Sequence, residues 1–395
     1  MTPNDANDQP WHFATQAIHA GTEISPQDIS PPIHMANTYI FDSAAEAADA
    51  FERQNRPIYT RWGNPTLAVM ERKVAALEGA EAAIATASGM AAVSAALLAA
   101  VESGDHVVAT SGLYSGSHNL LTKDFVRYGI ETSIVPATDA SAFEAAIQAN
   151  TGVIYLESPG NPTLSLNDIR AVAEIAHSYE LLTIVDNTFA TPYNQRPLDL
   201  GADAVVHSAT KFLGGHGDAI GGVIAGKADF IDKVKGPVRQ FGGCLSPFNA
   251  WLIARGINTL PLRMVRHNQN ALHIAEWLET QPGVAWVRYP WLASHPQVKL
   301  ARDQMPGGGG GVVVFELKGG IQAGRRLLDR VALCARTVSL GDVRTLITHP
   351  ASTTHHSVDP ETRRDAGITD GLVRLAVGLE DVADILTDLD RALPQ

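Results

Sequence analysis

The sequence predicts an α/β protein: a mostly parallel sheet covered by helices, followed by a smaller α+β domain. Three observations predict it. Short apolar runs alternate with longer helical segments between residues 64 and 255. That alternation is the pattern of strands joined by helical crossovers, with helices on both faces of the sheet. Beyond residue 256 the texture changes, and a glycine-rich loop in PGGGGGVVVFEL (306–317) leads into a strand.

Residues 1–42 are rich in Pro, Asp, Asn and Ser without a sustained period and read as an extended arm. SAAEAADAFE (43–52) opens on Ser43 with Glu46 three residues on, a capping-box pattern before a short helix. NPTLAVMERKVAALEG (64–79) places Leu67, Met70, Val74 and Leu77 at helical spacing, and Gly79 suits a helix stop. The strand candidates are AAIAT (82–86), HVVAT (106–110), GVIYLES (152–158), LLTIVDN (181–187), AVVHSA (204–209) and GGVIAG (221–226). Helical segments GMAAVSAALLAAV, SGSHNLLTKDFVRYG and LNDIRAVAEIAHSYE follow the first three. WLIARGINTLPLRMVRHNQNALHIAEWLE reads as a long helical region broken at Pro261. CARTVSL (334–340) and GLVRLAVG (371–378) read as strands, and DVADILTDLDRAL as a final helix. The expected division is an arm over 1–63, a larger domain over 64–255 and a smaller one over 256–395.

Of the 395 residues, 45% are apolar and 18% charged, enough to bury large cores. The net charge of −12 argues against nucleic acid or an anionic membrane surface as the main partner. Cys244 and Cys334 are the only cysteines and lie far apart, so neither a disulfide framework nor a CxxC metal site is expected. HPASTTHH (349–356) spaces its histidines by six and seven residues. That spacing does not put two ligands on one helical face, so no metal is expected. The sequence carries no leader pattern and no apolar stretch of membrane-spanning length, and the cytoplasm is the expected location.

Ligands of open parallel sheets bind beyond the carboxyl ends of the strands. Asp186 stands at the end of one apolar run and Glu157 at the end of another, followed by Asn161. Lys211 follows a third, in HSATKFLGGHGD, between the hydroxyls of Ser208 and Thr210 and a glycine-rich turn. Ser88-Gly89-Met90 opens a helix after AIAT, and a helix start is an anion site. Taken singly, a strand-end aspartate or a Ser-Gly is ordinarily a cap, and a lysine after a strand is ordinarily solvated. Together they suit pyridoxal phosphate. That cofactor needs a lysine, an acid for its ring nitrogen and donors for its phosphate.

The motifs YTRWGNPT (59–66), ASGMAA (87–92), ESPGNPT (157–163), VDNTFATP (185–192), HSATKFLGGHGD, LITHPASTTH (346–355) and GLVRLAVGLE (371–380) extend the case. The chain resembles the Cys/Met-metabolism group of pyridoxal-phosphate enzymes from about residue 15 to its end. The resemblance implies the fold of type I, aspartate-aminotransferase-like enzymes. It implies Lys211 as the Schiff-base lysine and Asp186 as the partner of the pyridine nitrogen. It implies a phosphate cup from Gly89, Met90, Ser208 and Thr210, with Tyr59 and Arg61 of the arm reaching a neighbouring subunit's cofactor. That arrangement implies a homotetramer built as a dimer of dimers with shared sites. Tyr114 is implied to stack on the ring and move protons, Asn161 to contact its hydroxyl side, and Ser339 and Arg374 to bind the substrate carboxylate.

The members of that group split by reaction. Gly116 stands where methionine γ-lyases usually carry cysteine, and Val238-Arg239 stands near where they carry a Lys-Asp pair. LSPFNAW and LYSGSHNL are closer to the sulfhydrylases. VSLGDVRTLITHPAS is closer to the γ-lyases, and Val338 replaces the Glu frequent in relatives that handle cystathionine. The expected reaction is γ-elimination on methionine or a related γ-substituted amino acid, giving 2-oxobutanoate, ammonia and a thiol. The alternative is an O-acetyl- or O-succinylhomoserine sulfhydrylase, and after it a cystathionine γ-lyase or γ-synthase.

Overall fold

The computed structural model describes residues 11–354, 356, 359–365 and 367–393. His355, the last residue of the LITHPASTTH motif, lies outside them, as do the first ten residues of the arm. The first sheet has seven strands: β1 (Ala82–Thr86), β2 (His106–Thr110), β3 (Glu131–Val135), β4 (Thr151–Glu157), β5 (Leu182–Asp186), β6 (Ala204–His207) and β7 (Gly222–Gly226). Their spatial order is β1-β7-β6-β5-β4-β2-β3. β3, β2, β4, β5 and β6 are parallel. β7 runs antiparallel to both β6 and β1, which leaves β1 pointing the same way as the parallel strands. All residues of β2, β6 and β7 are buried, as a sheet covered on both faces demands. The carboxyl ends of β1, β4, β5 and β6 therefore share one edge.

Among the helices, α1 spans Phe13–His19, α2 Ala44–Arg53, α3 Pro65–Glu78, α4 Gly89–Ala100 and α5 Ser115–Asn119. Asn64 caps α3 by accepting from the Thr66 amide at 2.8 Å, and Gly79 ends it at φ 73°. Ser43 caps α2 as expected, but the Glu46 carboxylate accepts from the Asp42 amide rather than from Ser43. α1 corrects the reading of residues 1–42 as an extended arm. Phe13 and Ala17 lie one turn apart, and Lys73 Nζ donates to the Ala17 and Ile18 carbonyls at 2.9 and 2.7 Å. A buried lysine thus satisfies carbonyls that a helix end leaves open.

The second sheet contains β8 (Val284–Arg288), β9 (Val312–Leu317), β10 (Ala335–Arg336), β11 (Leu346–Thr348) and β12 (Leu372–Ala376), in the order β10-β11-β12-β9-β8. Only β10 and β11 are parallel among them. CARTVSL contributes just the two residues of β10, because the chain then turns toward the first sheet. Three strands lie outside the sequence pattern: β3 (ETSIV) and β8 (VAWVR) mix polar or bulky residues into the run, and β11 is three residues long. The long helical region breaks at Asn258 and Thr259, and Pro261 lies in the first turn of the next helix, Leu260–Glu279. There its missing amide costs nothing.

Candidate active site

The site assembles at the shared edge. α4 starts immediately after β1, and Ser88 Oγ accepts from the Ala91 amide at 3.1 Å. The cap leaves the Gly89 and Met90 amides at the open helix start. A Cβ on Gly89 would lie 2.6 Å from Ser208 Cβ and 2.8 Å from its Oγ, so glycine is what lets α4 approach Ser208. Thr188 joins the two loops: its amide donates to Asp186 Oδ1 at 3.0 Å and its Oγ1 accepts from the Ser208 amide at 2.8 Å. Thr188 lies within VDNTFATP, but nothing local in that motif marks it as a site residue. Thr210 Oγ1 donates to the Gly221 carbonyl and accepts from the Gly221 amide, both at 3.1 Å. Its proton is therefore engaged within the chain.

Asp186 is buried, and burial pushes its carboxyl up; Thr188 and the more remote His207 pull the other way. Lys211 Nζ donates to Ser339 Oγ at 3.0 Å. Burial and then the Arg374 charge push its pKa down. Arg374, on β12, donates to Asn161 Oδ1 at 3.1 Å and to the Val338 carbonyl at 2.6 Å. Burial brings the guanidinium down to about 10. Two cationic groups thus face one buried region with no carboxylate among the described residues bonded to either, which is a site for an anion.

Tyr114 stands at the start of α5, half exposed, with its amide donating to Glu157 Oε2 at 2.7 Å. A Cβ on Gly116 would meet the Tyr114 ring at 2.6 Å and Met90 Sδ at 2.9 Å. Tyr114 and Met90 therefore fill the space that a side chain at 116 would take. Val338 is exposed beside the Arg374 partners. A cavity of about 670 Å³ opens next to Ser339 and Thr210, lined also by Asp218, Asn249, Thr337 and Asp342.

The structure does not bring Tyr59 and Arg61 into this cluster through any hydrogen bond among the described residues. Arg61 stacks over the Tyr59 ring and donates to the Arg239 carbonyl at 3.2 Å. Arg239 itself stacks over Trp62.

The donor set fits the cofactor expected from the sequence. Asp186 is a desolvated carboxyl without an ion-pair partner among the described residues, suited to a protonated ring nitrogen. The Gly89 and Met90 amides open α4 with Ser208 packed against Gly89, a helix start where an anion can be held. A lysine of depressed pKa lies within the same edge. Among the described residues there is no cluster of potential metal ligands and no helix long and apolar enough to cross a membrane.

Comparison with known proteins gives a consistent result. Residues 14–394 match the family described as Cys/Met metabolism PLP-dependent enzyme. The L-methionine gamma-lyase of Porphyromonas gingivalis is 47% identical, over 96% of this chain and 96% of its own length. The O-succinylhomoserine sulfhydrylase of Pseudomonas aeruginosa is 46% identical, over 96% of this chain and 95% of its own. The crystal structure of metB from Corynebacterium glutamicum superposes with a TM-score of 0.91 at 38% identity, covering 97% of this chain and 98% of that one.

Proposed function

The chain belongs to the Cys/Met-metabolism family of PLP-dependent enzymes, and from that premise we propose that it catalyses γ-elimination on methionine or a close γ-substituted amino acid. One water is consumed, and the products are 2-oxobutanoate, ammonia and a thiol. The observation that carries this reading is the Lys211–Ser339–Arg374 cluster with Val338 exposed beside it. It offers cations for one carboxylate and an apolar rim where a second amino-acid head would need a polar partner.

Its cofactor is pyridoxal 5′-phosphate. Lys211 would hold the cofactor, Asp186 its ring nitrogen, and Gly89, Met90 and Ser208 its phosphate, joined by Thr210 once its hydroxyl turns from the Gly221 carbonyl, with Tyr59 and Arg61 reaching a neighbouring subunit's phosphate. Asn161 is assigned to the ring-hydroxyl side. When bound, the cofactor supplies a ring that accepts the electrons left as the substrate Cα loses its proton. Arg374 binds the substrate carboxylate through its planar fork, with Ser339 beside it. Lys211, with its depressed pKa, takes the proton from Cα and returns protons to carbon. Tyr114 donates a proton to the sulfur leaving Cγ and closes the site above the substrate.

A second reading, O-acylhomoserine sulfhydrylase, is favoured by Gly116. There the Tyr114 ring leans into space that a cysteine would occupy. Cystathionine γ-lyase or γ-synthase activity ranks behind both. The identities of 47% and 46% do not separate the first two. The test is 2-oxobutanoate release from L-methionine and from O-acetyl- and O-succinyl-L-homoserine, with and without sulfide. Release from methionine indifferent to sulfide supports elimination. Homocysteine made from an acyl ester and sulfide, with methionine inert, replaces this reading with the second.

The assembly is assigned as a homotetramer, a dimer of dimers in which the 1–63 arm serves the neighbouring subunit. The 64–255 segment carries the cofactor and 256–395 the substrate carboxylate site. Ile29, Met35 and Ile40 of the arm are exposed on the single chain, as apolar residues that a partner covers would be. The two free cysteines suit a reducing cytoplasm.

A further inference from the structure

Glu157 ends β4 directly opposite Asp186 at the end of β5, in parallel register. Registered residues of neighbouring parallel strands point to the same face, roughly 5 Å apart along the hydrogen-bonding direction. Both side chains are buried, with relative exposures of 4% and 8%. Asp186 has an assigned task. Glu157 has none, yet its Oε2 accepts from the Tyr114 amide at 2.7 Å across 43 positions of sequence. A second tie runs alongside, from the Asn161 amide to the Gly112 carbonyl at 3.1 Å. Together they clamp the SGLY loop onto the end of β4.

We propose that Glu157 is a positioning residue for the reaction, holding Tyr114 over the site as a neutral hydrogen-bond acceptor rather than as a charge. The proposal rests on the reading of Tyr114 as the proton donor given above. Two carboxyls side by side in a buried edge do not both ionise cheaply. Asp186 has more to stabilise its anion: the Thr188 amide and hydroxyl, and His207 at longer range. Among the described residues Glu157 has the Tyr114 amide alone, and burial followed by the Asp186 charge push its carboxyl well up. The third titratable group on that face, Tyr155, is pushed up by burial and then by the Asp186 charge, so it stays a neutral phenol. The proton therefore stays on Glu157, and Asp186 is left anionic for the ring nitrogen.

Glutamine keeps a carbonyl acceptor without charge, and leucine keeps the volume without an acceptor. The experiment compares Glu157→Gln, Glu157→Leu, Tyr114→Phe and the Glu157→Leu/Tyr114→Phe pair as holoenzymes, on whichever substrate the wild type turns over. Measured are kcat, KM, cofactor dissociation from the holoenzyme and the pH dependence of the cofactor's visible absorbance. Glu157→Leu is expected to lower kcat by about a hundredfold, the cost of a misplaced catalytic group, with cofactor dissociation within about threefold. In the Tyr114→Phe background the same change should cost less than about threefold, because the two act as one unit. Glu157→Gln should recover most of kcat and leave the absorbance titration superimposable on wild type.

A Glu157→Gln enzyme as impaired as Glu157→Leu, or one with a displaced titration, overturns the neutral-acceptor role. Additive losses in the double variant overturn the positioning role. An unimpaired Tyr114→Phe enzyme instead refutes the assignment of Tyr114 itself. Should Glu157→Leu fail to fold, Glu157→Gln and its titration still decide the protonation claim.

Discussion

Lys211 Nζ is held by Ser339, a residue 128 positions later. The lysine, Asp186 and Ser208 were legible in the sequence because each stands just past an apolar run at the same end of a strand. Ser339 and Arg374 were legible only through resemblance, since nothing local marks a serine or arginine as facing a lysine. Thr210 shows the converse. Its hydroxyl was an obvious phosphate donor by position, and it is engaged with Gly221 on both its donor and acceptor sides. At this scale the clearest expectation concerns Arg374. Arg374→Lys keeps the charge but loses the planar fork that reaches Asn161 and the Val338 carbonyl together. It should raise KM by about ten- to a hundredfold with a smaller change in kcat and normal cofactor content. Steady-state kinetics settle it: a KM within about twofold of wild type removes Arg374 from the carboxylate site.

Strands and helices place these side chains by pointing their ends at one edge. α4 contributes its start because β1 runs parallel to the central strands, with antiparallel β7 between β1 and β6. β1 ends the sheet, and the Ala85 amide on it is met by Glu71 Oε1 from α3 at 2.9 Å. That contact covers a strand edge that would otherwise be open. Burial raises the Glu71 carboxyl from the ordinary 4.5 to about 7. The folded state then binds more protons than the unfolded state between those values. Its stabilising share is complete below the unfolded value and is lost as pH rises through the folded one. Glu71→Gln should remove that loss, so the fall in urea midpoint between about pH 4.5 and 7 flattens relative to wild type. Parallel slopes for the two proteins would show that Glu71 does not titrate there. Most of these elements follow from short-range pattern. β3, β8 and β11 did not: β3 and β8 are partly exposed edge strands without an apolar run, and β11 is three residues long.

The whole molecule brings two sheets together around the edge, and the helix Leu260–Glu279 is the joint. From it Arg263 donates to the Phe212 carbonyl, next to Lys211, at 2.7 Å, and His267 Nδ1 donates to the Val377 carbonyl, just past β12, at 2.7 Å. The lysine loop and the Arg374 strand are thereby held to one support. Above this lies the assembly. If Tyr59 and Arg61 serve a neighbour, Arg61→Ala and Lys211→Ala should each abolish or strongly weaken turnover alone. Subunits mixed while unfolded and refolded together should regain activity, toward a quarter of wild type if sites pair at random. No recovery in verified hetero-oligomers would show that each chain completes its own site. The sequence by itself determined the α/β alternation, the residue types at the strand ends, the family and its cofactor, because these depend on local pattern and on motifs contiguous in the chain. Only the tertiary structure decided that Ser339 and Arg374 meet Lys211, that Glu157 grips Tyr114, and that Tyr114 fills the space beside Gly116. Those contacts depend on strand order, register and the seating of one sheet on another, which packing over the whole chain sets and no single stretch encodes.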